Sequence, residues 1–497
     1  MSKDMESQPL LIAQYANAFE YRRHRKLLRV FWLVAFSLLI FELFFTNTTS
    51  LESNLGAIFI TIAALIPAYL WCSKRALGIP IFPVFALTFV WTYALPLVSN
   101  HPKVLQYSPE SHLFASITVT AFLLLGTFIW FQFVKSAPPI PKLYLTFKSG
   151  SGNVFLLFVL AFSILFNFSS LGGWLLIDSG IFALLRGIVL GLSALATFVL
   201  SYYFGTKQLS KAQSLSFLFL IAAAIITNSV GLLLVGAASQ FLIAITGFVI
   251  GSKKIPTLLI IIILLCFSFL NSGKGEMRAK YWFGVQSAYV QPWDYPAWYS
   301  EWAGYSLNSL LINQNNFDLS QSYNSSEKAS FLERASVIHM LLLTQNKSPQ
   351  EIPYLYGASY AIVPQLLVPR IFGVNKIASH EGTYLLNIHY GLQTREATFR
   401  TTIGWGLLAE SYANFGLFGC GGLAIVLGLM YGQVTRWSIN APVLSANYLF
   451  AVLVLTLCFQ TEFSAGVYVA ALFQASISLS GVIVLLMRPY KAPNFLV

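Results

Sequence analysis

The stretch Ser252 to Lys280 reads SKKIPTLLIIIILLCFSFLNSGKGEMRAK. Nineteen residues between Lys254 and Lys274 carry no charge. At about 1.5 Å per residue, a helix of that length crosses the roughly 30 Å hydrocarbon core of a bilayer. Lysines flank the run on both sides, and Gly273-Lys274-Gly275 marks where it gives way to a polar segment. The pattern is that of a membrane span leading out into a loop.

The rest of the chain repeats the motif. Of its 497 residues, 57% are hydrophobic and 10% charged, with a mean hydropathy of +0.69. Soluble domains run near a quarter charged, so water is excluded as the solvent of this chain. Apolar runs of spanning length fall near 30–46, 55–73, 79–98, 113–134, 153–170, 187–205, 214–230, 233–251, 255–271, 413–433, 444–461 and 465–487. The expected fold is therefore all-α, a polytopic bundle of about twelve transmembrane helices. It divides into a basic N-terminal tail (1–29), nine spans (30–271), a large extracytoplasmic loop domain between spans nine and ten (272–412), and three spans with a short tail (413–497). The segment 171–186 reads as re-entrant or interfacial. The Thr-Asn-Thr-Thr run after Phe45 is a loop without a small-residue cleavage site, so the first run is expected to be an anchor and not a leader. No fixed-period repeat is evident, nor a matching pair of Gly/Pro-broken spans.

Charge sets the expected orientation. The net charge of +12 comes from Lys and Arg at the ends of apolar runs, which argues for topology and against nucleic-acid binding. With the N-terminus inside, cytoplasmic segments collect 18 of the 30 basic residues, while the short outer loops offer Lys103 and Arg186. Both termini are then cytoplasmic. Cys72, Cys266, Cys420 and Cys458 lie in or beside apolar runs, which predicts neither a disulfide nor a structural metal. The segment 272–412 holds ten basic and ten acidic residues with many Tyr, Trp, Asn and Gln, as a folded outer domain would. Within it, Ser330–Leu343 has the spacing of an amphipathic helix on the membrane or the bundle, and Ala358–Val368, with Pro364, is too short to span and reads as re-entrant or interfacial.

Four constellations carry candidate chemistry. Lys274, Arg278 and Lys280 follow the ninth span beside two glycines, either as a phosphate cradle or as a snorkelling collar. Arg334 sits beside Glu333 with His339 offset from its helical face, as an ion-pair partner or a substrate contact. The strip 369–400 holds Arg370, Lys376, His380, Glu381, His389, Arg395, Glu396 and Arg400. Guanidinium forks suit pyrophosphate oxygens, and a carboxylate or histidine among them suits proton abstraction from a hydroxyl. The opposing interpretation is mutual pairing of exposed charges. Fourth, GWGLLAESYANFG (404–416) enters the tenth span and puts Glu410 near the outer membrane boundary, at the depth of Glu42 and Glu462, which also fit helix-end residues in water. Gly416, Gly419, Gly421 and Gly422 suit close helix packing. Trp282, Trp293, Trp298, Trp302, Tyr281, Tyr289, Tyr295 and Tyr299 fit a sugar platform or an interfacial belt equally.

This layout, with one large late outer loop of scattered arginines and the 404–416 stretch leading into a span, resembles the Wzy-type O-antigen and oligosaccharide repeat-unit polymerases of bacteria. The resemblance implies the cytoplasmic (inner) membrane and an inverting, metal-independent glycosyltransferase without cofactor. Such an enzyme moves a growing glycan from undecaprenyl pyrophosphate to a hydroxyl of the next lipid-linked repeat unit on the outer face. It also implies a flippase and a chain-length regulator as partners, with the lipid bilayer as surroundings. On that basis Arg278, Arg370, Arg395 and Arg400, with Lys274 and Lys280, would neutralise the pyrophosphate. Arg334 would add a contact, and Glu381, His380 or Glu410 would serve as base. The loop holds no Asp-x-Asp pair, in keeping with a reaction that needs no divalent metal. The alternatives are an O-antigen ligase, which differs in acceptor alone, a lipid-linked oligosaccharide flippase or transporter, and a structural scaffold. Spans two to eight carry almost no charge, which disfavours a polar path through the bundle.

Overall fold

A computed structural model of the chain describes residues 7–46, 50–147, 152–175, 177, 179–232, 234–281, 289–315, 336–368, 378–398 and 402–491. The protein is a helical membrane bundle. Among the described residues, ten helices are long and apolar enough to cross a bilayer, and an eleventh crossing arises if the pair Thr257–Ser272 and Lys274–Tyr281, bent by 48°, counts as one. The remaining expected span, 444–461, is the twelve-residue helix Ala446–Leu457, too short to cross alone. Its last expected turn leaves the helix, and Phe459–Ser464 line a cavity.

In chain order the helices are α1 (Ser7–Phe44), α2 (Leu51–Cys72), α3 (Ile81–Val98, with a π-helical turn), α4 (Pro109–Val134), α5 (Asn153–Leu171), α6 (Ser179–Gly205), α7 (Lys211–Val230), α8 (Leu234–Ser252), α9 (Thr257–Ser272) and α10 (Lys274–Tyr281). They continue as α11 (Tyr295–Asn315), α12 (Ile338–Lys347), α13 (Val363–Leu367), α14 (Glu381–His389), α15 (Arg395–Thr398), α16 (Leu407–Ser438), α17 (Ala446–Leu457) and α18 (Ala465–Leu486). Serines begin many of them: Ser50, Ser108, Ser210 and Ser445 each accept a bond from a backbone N–H of the first turn. The 171–186 segment is a turn followed by the start of α6, which extends the sixth span.

Two helix groups make the core. In the first, α2, α4 and α16 pack closely because glycines remove side chains at the crossings. A Cβ on Gly56 would strike Ser116, one on Gly126 the Phe82 ring, and one on Gly428 the Gly126 carbonyl at 2.9 Å. Gly421 and Gly422, expected to pack, face open space instead, and the close crossing lies one to three turns further along α16 at Gly428 and Gly432. In the second group α6 and α8 meet at Gly247 and Gly251, and Gln240 donates to Thr197 (2.5 Å) and Ser193 (3.2 Å) across the interface. Helix α18 joins the groups by resting on Gly187 and Gly191 of α6.

The expected amphipathic helix 330–343 is described only from residue 336, and its helical part begins at Ile338. Ile338 and Met340 to Thr344 are all buried, so α12 is wedged into the bundle against α16 and α4 and does not lie on a surface. At the opposite end from α12, strands β1 (Leu143–Phe147) and β2 (Met487–Lys491) form an antiparallel ribbon with Leu143 opposite Lys491.

Candidate active site

Five segments converge at one end of the bundle. The π-helical turn Val90–Ala94 interrupts α3, with the Leu95 N–H reaching back to the Val90 carbonyl. Pro96 has no N–H for the Thr92 carbonyl, which accepts from the Val337 N–H at 2.8 Å instead. Beside it run the extended residues 402–406, the α17–α18 connection, the start of α14 and residue Val235 of α8. Together they enclose a cavity of about 300 Å³ lined by Trp91, Thr92, His380, Thr383, Gln460 and Glu462 among others.

Among the described residues, Glu462 is the one carboxylate on that lining. Its surface is exposed to the cavity, and among the described residues no donor bonds its side chain. Protein packed around the cavity mouth strips much of its water and raises its pKa, while the charges of Lys274 and Arg278 pull it down. Gly404 makes room for it, since a Cβ there would lie 2.8 Å from the Glu462 Cβ. The chain is pinned on both sides: Gly406 N–H donates to the Glu462 carbonyl at 3.2 Å, and Ser464 Oγ pairs with Thr383 Oγ1 at 2.8 Å. His380, also on the lining, is kept below the usual histidine pKa by burial and is neutral at pH 7.

Glu410, one short turn away, has a different environment. It is fully buried; Oε1 accepts from Ser359 Oγ at 2.8 Å and Oε2 from the Ala465 N–H at 2.6 Å. The second bond closes the open N-terminus of α18, a favourable place for a carboxylate. Asn414 donates to Ser359 Oγ and to the Glu410 carbonyl, both at 2.8 Å, and accepts from the Gly357 N–H at 3.0 Å. Just beyond, α16 breaks at Phe415 and Gly416, where Gly416 takes φ +60°. The Leu355 and Tyr356 N–H groups bond the Ala413 and Asn414 carbonyls, satisfying acceptors that the break frees. On the other side of the break lies an apolar groove of about 690 Å³ lined by Tyr360, Val363, Pro364, Phe418, Gly422 and Ala465 among others. Ser464 lines the cavity and Ala465 the apolar groove, so the two spaces lie on either side of consecutive residues.

The other predicted residues divide. Lys274 and Arg278 act on Glu462, and Arg278 Nη2 also donates to the Leu232 carbonyl at 2.8 Å. Lys280 turns away to Glu301 at 2.7 Å. Glu381 takes both forks of Arg395, at 2.6 and 3.1 Å, and the Arg395 guanidinium lies 5.6 Å from the Tyr384 ring centre. His389 bonds the Pro353 carbonyl at 2.8 Å. Arg334, Arg370 and Arg400, with Glu333, Lys376 and Trp282, lie outside the described residues. His339 stacks on His101 with ring centres 5.6 Å apart, and burial with the nearby Lys103 charge pushes its pKa down to about 3. Glu42 is buried between α1 and α2, accepting from Thr61 Oγ1 at 2.6 Å.

The aromatic cluster is largely structural. Tyr295, Trp298 and Trp302 are buried in a small core with Met277, and Trp302 Nε1 donates to the Leu270 carbonyl at 2.7 Å. This core fixes α10 against α11 and so sets where Lys274 and Arg278 point. Tyr289 and Trp293 remain exposed. Residue-by-residue reasoning set Glu462 aside and missed Trp91 and Gln460. The available signal was a charged residue in FQTEFS (459–464), a polar interruption between two apolar runs. No protein-family profile, curated protein or solved structure matches this chain.

Proposed function

We propose that the protein is a membrane glycosyltransferase that polymerises oligosaccharide repeat units carried on undecaprenyl pyrophosphate, at the outer face of the bacterial cytoplasmic membrane, with both termini cytoplasmic. The observation that carries this is the junction at Ser464–Ala465, where a cavity in which Glu462 feels the charges of Lys274 and Arg278 lies beside an apolar groove. A substrate with an anionic head, a sugar and a long apolar tail fits such a junction.

In the reaction, the bond from the anomeric carbon to the pyrophosphate oxygen breaks as the acceptor hydroxyl oxygen attacks that carbon. The hydroxyl proton passes to Glu462, and the lipid pyrophosphate departs with the bonding electrons, its charge held by Lys274 and Arg278. With a single carboxylate on the cavity lining among the described residues, a direct displacement with inversion is favoured over a two-carboxylate double displacement. Neutral His380 is placed to hold the acceptor hydroxyl. Glu410, saturated by protein donors, is assigned to architecture, and Glu381 with Arg395 to the rim.

The test is incubation of purified protein with its lipid-pyrophosphate-linked repeat unit, read as a glycan ladder. Wild type is expected to give a ladder, and Arg278→Ala to lose it by about a hundredfold in rate, the scale of one lost charge-stabilising contact. Transfer of a single unit to a different lipid acceptor would make the protein a ligase. Absence of any transfer, with translocation of the lipid-linked unit across vesicles, would make it a flippase.

A further inference from the structure

Resting on the assignment of the cavity to glycosyl transfer, we propose that Trp91 is its sugar-binding ring, the surface on which the pyranose next to the pyrophosphate lies. The placement of this indole is unusual for α3. The neighbouring aromatic residues Phe82, Phe85, Phe89 and Tyr93 are buried in the core and packed on one another, with Phe89 and Tyr93 stacked at 4.6 Å. Trp91 is partly exposed and lines the cavity beside Thr92. Two residues from Phe89 and two from Tyr93, Trp91 falls on the opposite side of the helix from the buried set, and the π-turn widens the helix at that point. Such turns are rare and collect at functional sites.

Chemistry narrows the ligand. The lining joins the indole and the apolar side chains of Val235, Ile403, Phe459 and Phe463 to polar groups, and a sugar matches such a mixed surface through its C–H face while its hydroxyls meet the polar groups. Thr92, Thr383, Thr402, Gln460 and Thr461 furnish those groups around the same space. A volume of about 300 Å³ lies at the lower end of ligand cavities, which suits a single sugar residue and excludes a longer run of the glycan. In the proposed reaction Lys274 and Arg278, whose charges reach Glu462, hold the pyrophosphate, so the ring takes the sugar attached to it.

The experiment compares binding of two probes to the full-length protein in nanodiscs: bare undecaprenyl pyrophosphate, and the same lipid carrying one N-acetylhexosamine. Trp91→Ala is expected to weaken the glycosylated probe about tenfold and leave the bare lipid within twofold. Trp91→Phe is expected to keep most of the affinity for the sugar. Unchanged bare-lipid binding in Trp91→Ala also reports that the variant is folded. Equal loss on both probes, or no loss on the glycosylated one, would overturn the role of Trp91 while leaving the site intact. Wild-type protein that binds neither lipid would overturn the assignment of the site itself.

Discussion

Glu410 and Glu462 flank the turn that starts α18, yet one carboxylate is closed by Ser359 and Ala465 while the other opens on a cavity beside Lys274 and Arg278. Two groups of the same chemistry, a few residues apart in space, are thereby given different work. A carboxylate whose oxygens are both taken by protein donors holds segments together: here residues 357–360, the first turns of α16 and the N-terminus of α18. A carboxylate without protein donors, in a partly dehydrated cavity with cations nearby, is set up to bind or move a proton. The first builds the wall; the second faces the ligand.

Four variants break or sharpen this contrast. The largest effect is expected for Glu462→Gln, which keeps shape and removes the base; transfer should fall by about 10² to 10⁴, with the thermal midpoint nearly unchanged. The same variant tests pH dependence. The base must be ionised, and burial has raised its pKa above the ordinary 4.5. Wild-type rate should therefore decline as pH falls through that raised value, and the decline should vanish in Glu462→Gln. Replacing Lys274 by Ala should move the limb to higher pH, because a charge that lowers the pKa is gone.

A smaller loss, about tenfold in kcat/KM, is expected for Gly404→Ala. Its Cβ would press on the Glu462 Cβ at 2.8 Å and shift the base without touching the ligand. The smallest effect on rate is expected for Glu410→Gln, whose amide sets an N–H₂ against a donor. The cost should be roughly 1–3 kcal/mol of stability, seen as a lower unfolding temperature in detergent. A Glu410→Gln protein of normal stability with a lost acid limb would reverse the contrast.

Much of the bundle was legible because hydrophobic length is a one-dimensional property: a run such as 255–271 needs no partner to be recognised. What length could not convey was contact across the chain. The tenth span begins at Leu407 and not 413, because residues 407–414 form a half-helix whose polar face is satisfied by Ser359, Gly357 and Ala465. The residues of α12 read as amphipathic, yet their polar positions also find interior partners, as when Gln345 donates to Thr118 Oγ1 at 2.9 Å. Glycine function was equally hidden, since Gly422 and Gly428 look alike in sequence and differ only in what lies opposite. At the site, Lys274, Arg278 and His380 were visible as charge and imidazole near a membrane boundary. Glu462 was not singled out, because its meaning depends on cations from a segment almost two hundred residues earlier.

The ribbon of Leu143–Phe147 with Met487–Lys491 has a consequence for biosynthesis. Its two strands are separated by about two thirds of the chain, yet they pair residue for residue, and Thr146 also bridges to Ser445. A ribosome delivers the first strand long before the second. The early strand must wait with an unpaired edge while, among the described residues, six further helices of spanning length and the bent pair are inserted, so closure of this end is a late event in assembly, governed by the arrival of its distant partner and not by local propensity.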